Sequence, residues 1–312
     1  MTESQELAAE PEVGTLPAGH PGRAAAWVHA CRIPTLSAAL VPVLVGTVLA
    51  WRHGDFSLVT AVATLVGAVA IQIGTNLAND LYDFKKGADS PARLGPPRVL
   101  ARGWLSADDV TAGMVTAFGI ATASGAYLIA VAGWPILAIG VASIAAGILY
   151  TAGPFALAYV GLGDLFVFLF FGLVAVLGTY YAQVGDLDPE AWVAAIPVGT
   201  LATAILVVNN LRDIDTDRAA GKHTLAARIG RGATRAEFAT LLLAAFAVPI
   251  ALWAQGLSSA WVLLPLATTT LAARTLSAVF ETDGQGLNRT LVDTAQLHLL
   301  FGLLFAAGLA LG

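Results

Sequence analysis

Two short polar clusters carry the side chains best suited to chemistry: the first cluster spans residues 76–83 and the second cluster spans residues 209–218. Each follows a long apolar run and repeats Asn and Asp at spacings (i, i+4, i+7 and i, i+3, i+7) that share one face of a helix. Carboxylate and amide oxygens are ligands of Mg²⁺, which typically binds one or two carboxylates together with substrate phosphates. The spacing therefore predicts a Mg²⁺-diphosphate site in two halves. Its predicted metal ligands are Asn76, Asp80, Asp83, Asn210, Asp213 and Asp217.

Basic side chains lie near both clusters in the sequence. Arg98, Arg212, Arg218 and Lys222 are candidates to neutralise the remaining charge of a diphosphate. Mg²⁺ and arginine together would stabilise a departing pyrophosphate, which is the electrostatic part of catalysis. A second interpretation stays open: the acids and bases form a solvated, salt-bridged loop, and the cations set topology or contact lipid head groups.

The composition defines the elements that must position these residues. Of the 312 residues, 57% are hydrophobic and only 12% are charged, and the mean hydropathy is +0.75. A soluble domain has about 25% charged residues. The sequence therefore predicts an all-α integral membrane protein with nine transmembrane helices, formed by residues 23–312. The predicted spans are 35–51, 56–79, 108–131, 134–151, 161–184, 190–210, 236–255, 259–280 and 291–311.

The two ends of this bundle differ in charge. If the amino terminus and every second connection share one side, only Arg52 of the sixteen Lys and Arg residues falls on the other side. Basic residues mark cytoplasmic loops, so we expect the amino terminus and both clusters to face the cytoplasm of a multi-pass cell-membrane protein. Residues 1–22 are polar, acidic and rich in Gly and Pro, which predicts a disordered tail rather than a signal peptide.

An aromatic run, Phe166–Phe171, lies in the fifth predicted span. In a membrane, a long isoprenoid chain is a plausible group to carry the diphosphate. The rings could line a tunnel for that chain and stabilise an allylic cation through their π faces. Packing against other helices or lipid is the alternative.

The two clusters resemble the Asp-rich motifs of the UbiA superfamily of intramembrane aromatic prenyltransferases. Further stretches resemble the branch that prenylates 1,4-dihydroxy-2-naphthoate in menaquinone synthesis, and the resemblance covers about residues 27–311. These stretches are 32–36, 72–80, 87–89, 95–99, 150–154, 161–164, 221–226 and 287–288.

The resemblance implies a helix bundle around a central cavity, capped on the cytoplasmic side by the connections between spans 2 and 3 and between spans 6 and 7. It implies that a polyprenyl diphosphate prenylates 1,4-dihydroxy-2-naphthoate, with loss of CO₂ and pyrophosphate and with Mg²⁺ as cofactor, to give demethylmenaquinol. The implied catalytic residues are Asp80, Asp83, Asp213 and Asp217. The implied substrate-binding residues are Gln72, Asn76, Asn79, Arg98, Tyr150, Asn209, Asn210, Arg212 and Lys222.

Other polar residues are expected to have smaller roles. Asp89 lies beyond the helical face of the first cluster, and Asp215 points away from the face of the second cluster. His298 is expected to be a packed core histidine rather than a base. No protein base is required, because decarboxylation restores the aromatic ring after prenyl attack.

Two other functions remain as alternatives. One is a UbiA-type enzyme for another acceptor such as 4-hydroxybenzoate, although the Tyr-Pro-x-x-Lys-Arg pattern typical of hydroxybenzoate and haem-pathway relatives is absent. The other is a membrane cation transporter, which would place its acids near the bilayer midplane. The expected partners are the bilayer and the two substrates, without nucleic acid, and no oligomeric state is predicted.

Overall fold

The computed structural model describes residues 21–87 and 94–312, and within these ranges the regular structure is helical. Most of the predicted tail therefore lies outside the described residues. Three 3₁₀ segments span Ile33–Leu36, Ala260–Thr268 and Gly284–Gly286, and a π-helical segment spans Phe168–Val174. The α-helices are α1 (Arg23–Cys31), α2 (Ser37–Arg52), α3 (Leu58–Lys85), α4 (Ala107–Ala132), α5 (Trp134–Leu149), α6 (Gly163–Val167), α7 (Ala175–Val184), α8 (Pro189–Ala219), α9 (Leu225–Ala254), α10 (Thr269–Glu281) and α11 (Leu287–Leu311).

Every predicted span coincides with a helical segment, but one of them is short. Eight segments of the described chain are long and apolar enough to cross a membrane, including the composite spans Gly163–Val184 and Ala260–Glu281. Helix α5 has 16 residues, which at 1.5 Å per residue gives about 24 Å, less than the roughly 30 Å hydrocarbon thickness. Length and composition thus support eight spans, and the ninth stays a prediction.

Helices α3 and α8 both extend past the spans predicted for them, to Lys85 and Ala219. With 28 and 31 residues they are about 42 and 46 Å long, so each has several turns more than the hydrocarbon core requires. The first cluster occupies the last turns of α3, and the second cluster occupies the last turns of α8. The Asn and Asp side chains are therefore on continuous helices and keep the spacing on which the site prediction depends.

Helix α8 is the central element of the bundle. In its most apolar stretch 78% of the residues are buried, against 17–56% in the other spans, as expected for a helix that is apolar on all sides. It packs against α2, α9, α11 and the π-helical segment. Small residues allow the closest of these approaches: a Cβ on Gly199 would lie 2.9 Å from the Cα of Gly172 and 2.9 Å from the ring of Phe168.

The ends of the helices opposite the clusters are joined by polar contacts. Arg52 at the end of α2 pairs with Glu190 in the first turn of α8 at 2.5 Å. The Gln183 side chain bonds both the N–H and the C=O of Ser57, the N-cap of α3. From Glu190 to Asp213 is 23 residues along α8, or about 34 Å, so these contacts and the clusters lie at opposite ends of the bundle.

We expect Gly199→Ala to lower the free energy of unfolding by about 1–3 kcal/mol, because its Cβ would overlap backbone atoms that cannot move independently. Thermal unfolding of the purified protein in detergent measures the effect. Gly119→Ala in α4 is the matched control, since no atom lies within 4 Å of its Cβ position. An unfolding temperature for Gly199→Ala at or above that of the unmodified protein would contradict the close approach.

Candidate active site

Both clusters line one cavity of about 700 Å³, a volume within the range of about 300–1,000 Å³ typical of small-molecule sites. From the first cluster the lining residues are Asn76, Asn79 and Asp83. From the second cluster they are Asn209, Asn210 and Arg212, and Arg98, Tyr150 and Lys222 join them. Two segments about 130 residues apart in sequence are thus brought to one polar surface, as a site in two halves requires.

Arginine neutralises the carboxylates of the first cluster. Arg98 donates to Asp80 at 3.1 Å and to Asp83 at 2.8 Å, and all three side chains are buried. Arg32 is a second cation for Asp80, at 3.9 Å, and it lines the cavity. Because a buried carboxylate is stable only when paired or hydrogen-bonded, these arginines allow the acids to stay ionised inside the protein.

Arg212 has the same relation to Asp213 in the second cluster. Its guanidinium donates twice to the Asp213 carboxylate, at 2.8 and 2.6 Å, and it is only 1% exposed. It also donates to the carbonyl oxygens of Asn209 and Asn288, at 2.8 and 2.9 Å. A Cβ on Gly95 would lie 2.6 Å from this guanidinium, so the connection between α3 and α4 lies directly over Arg212.

Asp217, the last acid of the second cluster, contacts a lysine and a threonine. Lys222 lies 3.8 Å from it, and the hydroxyl of Thr224 donates to it at 3.5 Å. Thr224 is also the N-cap of α9, where its side chain accepts the N–H of Ala227. The start of α9 and the end of α8 are therefore held together at Asp217, a buried acid that is not itself in the cavity lining.

Tyr159 joins the two clusters, although the sequence analysis did not identify it. Its hydroxyl donates to Asp83 at 3.0 Å. Its ring lies 4.3 Å from the ammonium of Lys86 and 5.4 Å from that of Lys222, within cation–π range. The residues that contact Tyr159 are far apart in the sequence, so no spacing along the chain indicates this tyrosine.

The amide side chains divide into two groups. Asn79 accepts from Thr151 at 2.9 Å through its carbonyl oxygen, and the Asn209 oxygen is already bound by Arg212. Asn76 instead uses its NH₂ group, donating to the carbonyl of Cys31 at 3.0 Å and to Thr35 at 3.3 Å. Its carbonyl oxygen is thus left as the atom to offer to a ligand.

The remainder of the cavity is apolar. Phe166, Phe170 and Phe171 line it, and the rings of Phe166 and Phe170 stack at 5.9 Å. Phe168 instead packs toward Gly199 on α8. The π-helical segment that begins at Phe168 changes the register of the aromatic run, and π-helical turns often occur at functional sites.

Several other polar residues lie away from the cavity. Asp215 pairs with Arg231 on the exposed side of α8, and His298 is fully buried with Nδ1 3.5 Å from the Ser37 hydroxyl, as predicted for both. Arg218, a predicted diphosphate neighbour, instead donates to the carbonyl of Ala227 at 2.7–3.0 Å. Asp89 lies outside the described residues. Gln72, in contrast to these residues, does line the cavity, where its side chain lies 3.5 Å from the Thr35 hydroxyl.

The two Asn/Asp clusters of this helical bundle meet at one cavity, as expected from the resemblance to intramembrane prenyltransferases noted in the sequence. The model of the UbiA prenyltransferase family matches residues 39–300, and the chain belongs to this family. It is therefore a member of a family of membrane enzymes, which confirms the resemblance noted in the sequence.

Individual relatives extend over almost the whole chain. A 1,4-dihydroxy-2-naphthoate octaprenyltransferase of Escherichia coli is 36% identical over 93% of this chain and 96% of its own length. Its counterpart from Mycobacterium tuberculosis is 37% identical over 92% and 98%. A solved UbiA homolog from Archaeoglobus fulgidus bound to GPP and Mg²⁺ shares the fold, with a TM-score of 0.65 and 17% identity over 91% of this chain and 99% of that one.

We expect Arg212→Met to reduce the free energy of unfolding by about 3–5 kcal/mol, because it leaves the Asp213 carboxylate buried without its cation. The double variant Arg212→Met/Asp213→Asn should recover part of this loss, which thermal unfolding in detergent can quantify. Arg289→Met is the control, since that side chain is 91% exposed. Equal unfolding temperatures for Arg212→Met and Arg289→Met would show that the pair does not stabilise the fold.

Proposed function

We propose that this protein transfers a polyprenyl chain from polyprenyl diphosphate to 1,4-dihydroxy-2-naphthoate at the cytoplasmic face of the cell membrane. The reaction releases pyrophosphate and CO₂ and gives demethylmenaquinol. The observation that carries the proposal is the convergence of both Asn/Asp clusters on one cavity that has a polar end and an aromatic lining. The identity to naphthoate octaprenyltransferases along nearly the whole chain supports the acceptor.

The charge balance of the site explains why a divalent metal would accompany the diphosphate. Four carboxylates are matched by four cations, with Arg32 and Arg98 at the first cluster and Arg212 and Lys222 at the second. These four cations are therefore already engaged by carboxylates and are not a surplus of positive charge for an incoming diphosphate. Bound Mg²⁺ would supply that charge and stabilise the leaving pyrophosphate.

The donor set fits Mg²⁺. It offers carboxylate oxygens from both clusters and the free carbonyl oxygen of Asn76, which are the hard ligands this ion prefers. Sulfur and imidazole ligands, which favour softer metals, are absent from the cavity lining apart from His29. The residues that would hold the metal are Asn76, Asp80, Asp83, Asn210, Asp213 and Asp217.

The protein's own side chains bind and orient the two substrates. Arg98, Arg212 and Lys222 would contact the diphosphate oxygens, and their ion pairs with the carboxylates would weaken as these contacts form. Tyr150 lies beside the diphosphate or the first prenyl unit, and Gln72 lies near the acceptor ring. Asn79 and Asn209 act by positioning Thr151 and Arg212.

The chemistry places few demands on a protein base. As the allylic C–O bond breaks, the diphosphate keeps the electron pair and the electron-rich ring forms the new C–C bond. Loss of CO₂ breaks the C–C bond between the ring and the carboxylate. The electrons of that bond stay in the ring and restore its aromaticity. Phe166, Phe170 and Phe171 provide π faces for the allylic cation and exclude water from it.

The prenyl chain lies in the apolar part of the cavity. Each CH₂ group removed from water there contributes about 0.8 kcal/mol, so a long chain is retained without specific polar contacts. We propose that α5 is the ninth span and that the connections α3–α4 and α8–α9 form the cytoplasmic cap. Membership of the UbiA family and the contribution of both clusters to one cavity favour this enzyme over a cation transporter.

We expect Asp80→Asn and Asp213→Asn each to lower prenyl transfer by a factor of about 100 or more, the loss typical of removing one electrostatic contact to a transition state. Product formation from 1,4-dihydroxy-2-naphthoate and a polyprenyl diphosphate is measured by mass spectrometry in proteoliposomes. Asp215→Asn is the control on the same helix, because Asp215 faces solvent and Arg231. Activity within a few-fold of normal for both active-site variants would refute the assignment.

Two further arms of this assay test the cofactor and the acceptor. Removing divalent metal with a chelator should stop product and pyrophosphate formation together, and Mg²⁺ should restore both. Offering 4-hydroxybenzoate in place of the naphthoate should give no prenylated product. Prenylation of 4-hydroxybenzoate at a comparable rate would replace the proposed acceptor while leaving the enzyme class intact.

A further inference from the structure

A second group of potential metal ligands lies at the end of the bundle opposite the clusters. His53 follows α2, and Asp188 and Glu190 lie at the start of α8. One ligand atom from each of the three residues lies within 4.8 Å of the others. About 34 Å of α8 separates this group from Asp213, so it is distinct from the two Asn/Asp clusters.

In each of the three residues, one nitrogen or oxygen atom contacts the protein and a second could bind a metal. His53 Nδ1 is bonded to the Tyr180 hydroxyl at 2.6 Å, which leaves Nε2. Glu190 uses Oε1 for Arg52, and its Oε2 lies 3.6 Å from His53 Nε2. Asp188 uses Oδ1 to cap α8 at the Glu190 N–H. Each of the three side chains is thus oriented by a contact at the atom that would not bind the metal. Metal-binding histidines and carboxylates are usually oriented in this way.

The separation of the remaining atoms is that of ligands sharing an ion. Two ligands at about 2.0–2.1 Å from a tetrahedral metal stand about 3.4 Å apart. The 3.6 Å between His53 Nε2 and Glu190 Oε2 is too long for a hydrogen bond and close to this value. Rotation of the partly exposed Asp188 side chain brings in the third ligand.

The local charge also favours a cation. Asp55 follows His53 by two residues and Asp186 precedes Asp188 by two, so with Asp188 and Glu190 four carboxylates lie in these two short segments. Arg52 is the basic residue that offsets them, through Glu190, and His53 is the remaining titratable group in contact with Tyr180. Four carboxylates against one arginine leave an excess of negative charge around the three ligands.

We propose that His53, Asp188 and Glu190 bind a divalent metal of the zinc class, with water completing the tetrahedron. Imidazole nitrogen with carboxylate oxygens is a donor set that zinc accepts and that differs from the all-oxygen set of the clusters. The metal would link the end of α2 to the start of α8, and so fix the central helix at the end remote from the clusters.

Metal content of the full-length protein in detergent tests the proposal. To exclude binding at the clusters, all variants carry Asp80→Asn and Asp213→Asn, and the protein is stripped with chelator, loaded with ZnCl₂ and desalted. We expect about one equivalent of zinc per chain, reduced to background by His53→Gln. Loading with CoCl₂ instead should give the visible absorption of tetrahedral Co²⁺, and zinc should raise the unfolding temperature unless His53 is replaced.

Matched variants separate a built site from a diffuse acidic surface. Asp188→Asn retains the N-cap of α8 but loses a ligand, so it should lose zinc while keeping its unfolding temperature in chelator. Tyr180→Phe should weaken zinc binding by about 10–100-fold, as loss of an orienting bond does. Asp186→Asn, two residues away and exposed, should bind zinc normally.

Three results would overturn the proposal. The first is no zinc above background in the protein with an intact His53. The second is equal zinc content with and without His53, and the third is an equal loss in Asp186→Asn and Asp188→Asn.

Discussion

The neutralisation of buried carboxylates by buried arginines is the interaction on which this structure depends. Asp80 and Asp83 share Arg98, and Asp213 is bound in two places by Arg212. Without these cations the acids would be far too costly to bury at the ends of apolar helices. The same pairing means that Arg98 and Arg212 are already engaged by carboxylates before any anionic ligand arrives.

This constraint also determines which parts of the chain must meet. Arg98 comes from the connection after α3. Arg212 donates to Asn288 at the start of α11, and Asn288 in turn donates to the backbone carbonyl of Leu94. Tyr159 extends the network from Asp83 toward Lys222. The polar end of the cavity is therefore lined by several hydrogen-bonded groups, in which Arg98, Arg212 and Asn76 each contact residues from other segments of the chain.

The helices that carry the clusters are organised around the same requirement. Both continue beyond the hydrocarbon core, so their polar turns lie where the energetic cost of charge falls. Helix α8 lies at the centre of the bundle, with Gly199 against Gly172. The π-helical segment at this contact carries Phe170 and Phe171 of the cavity lining, which Phe166 joins from α6. Close backbone packing and the aromatic lining thus have one structural origin.

The sequence by itself determined the membrane class, the positions of the apolar helices and the two acidic faces, because these depend on composition and on spacing within one helix. It also indicated correctly that Asp215 and His298 lie outside the cavity. Only the tertiary structure decided that Arg98 pairs with the first cluster, that Arg218 turns away to Ala227, and that Tyr159 and Thr151 contribute. These contacts join residues from different helices and connections, whose meeting is determined by packing of the bundle and leaves no periodic signal along the chain.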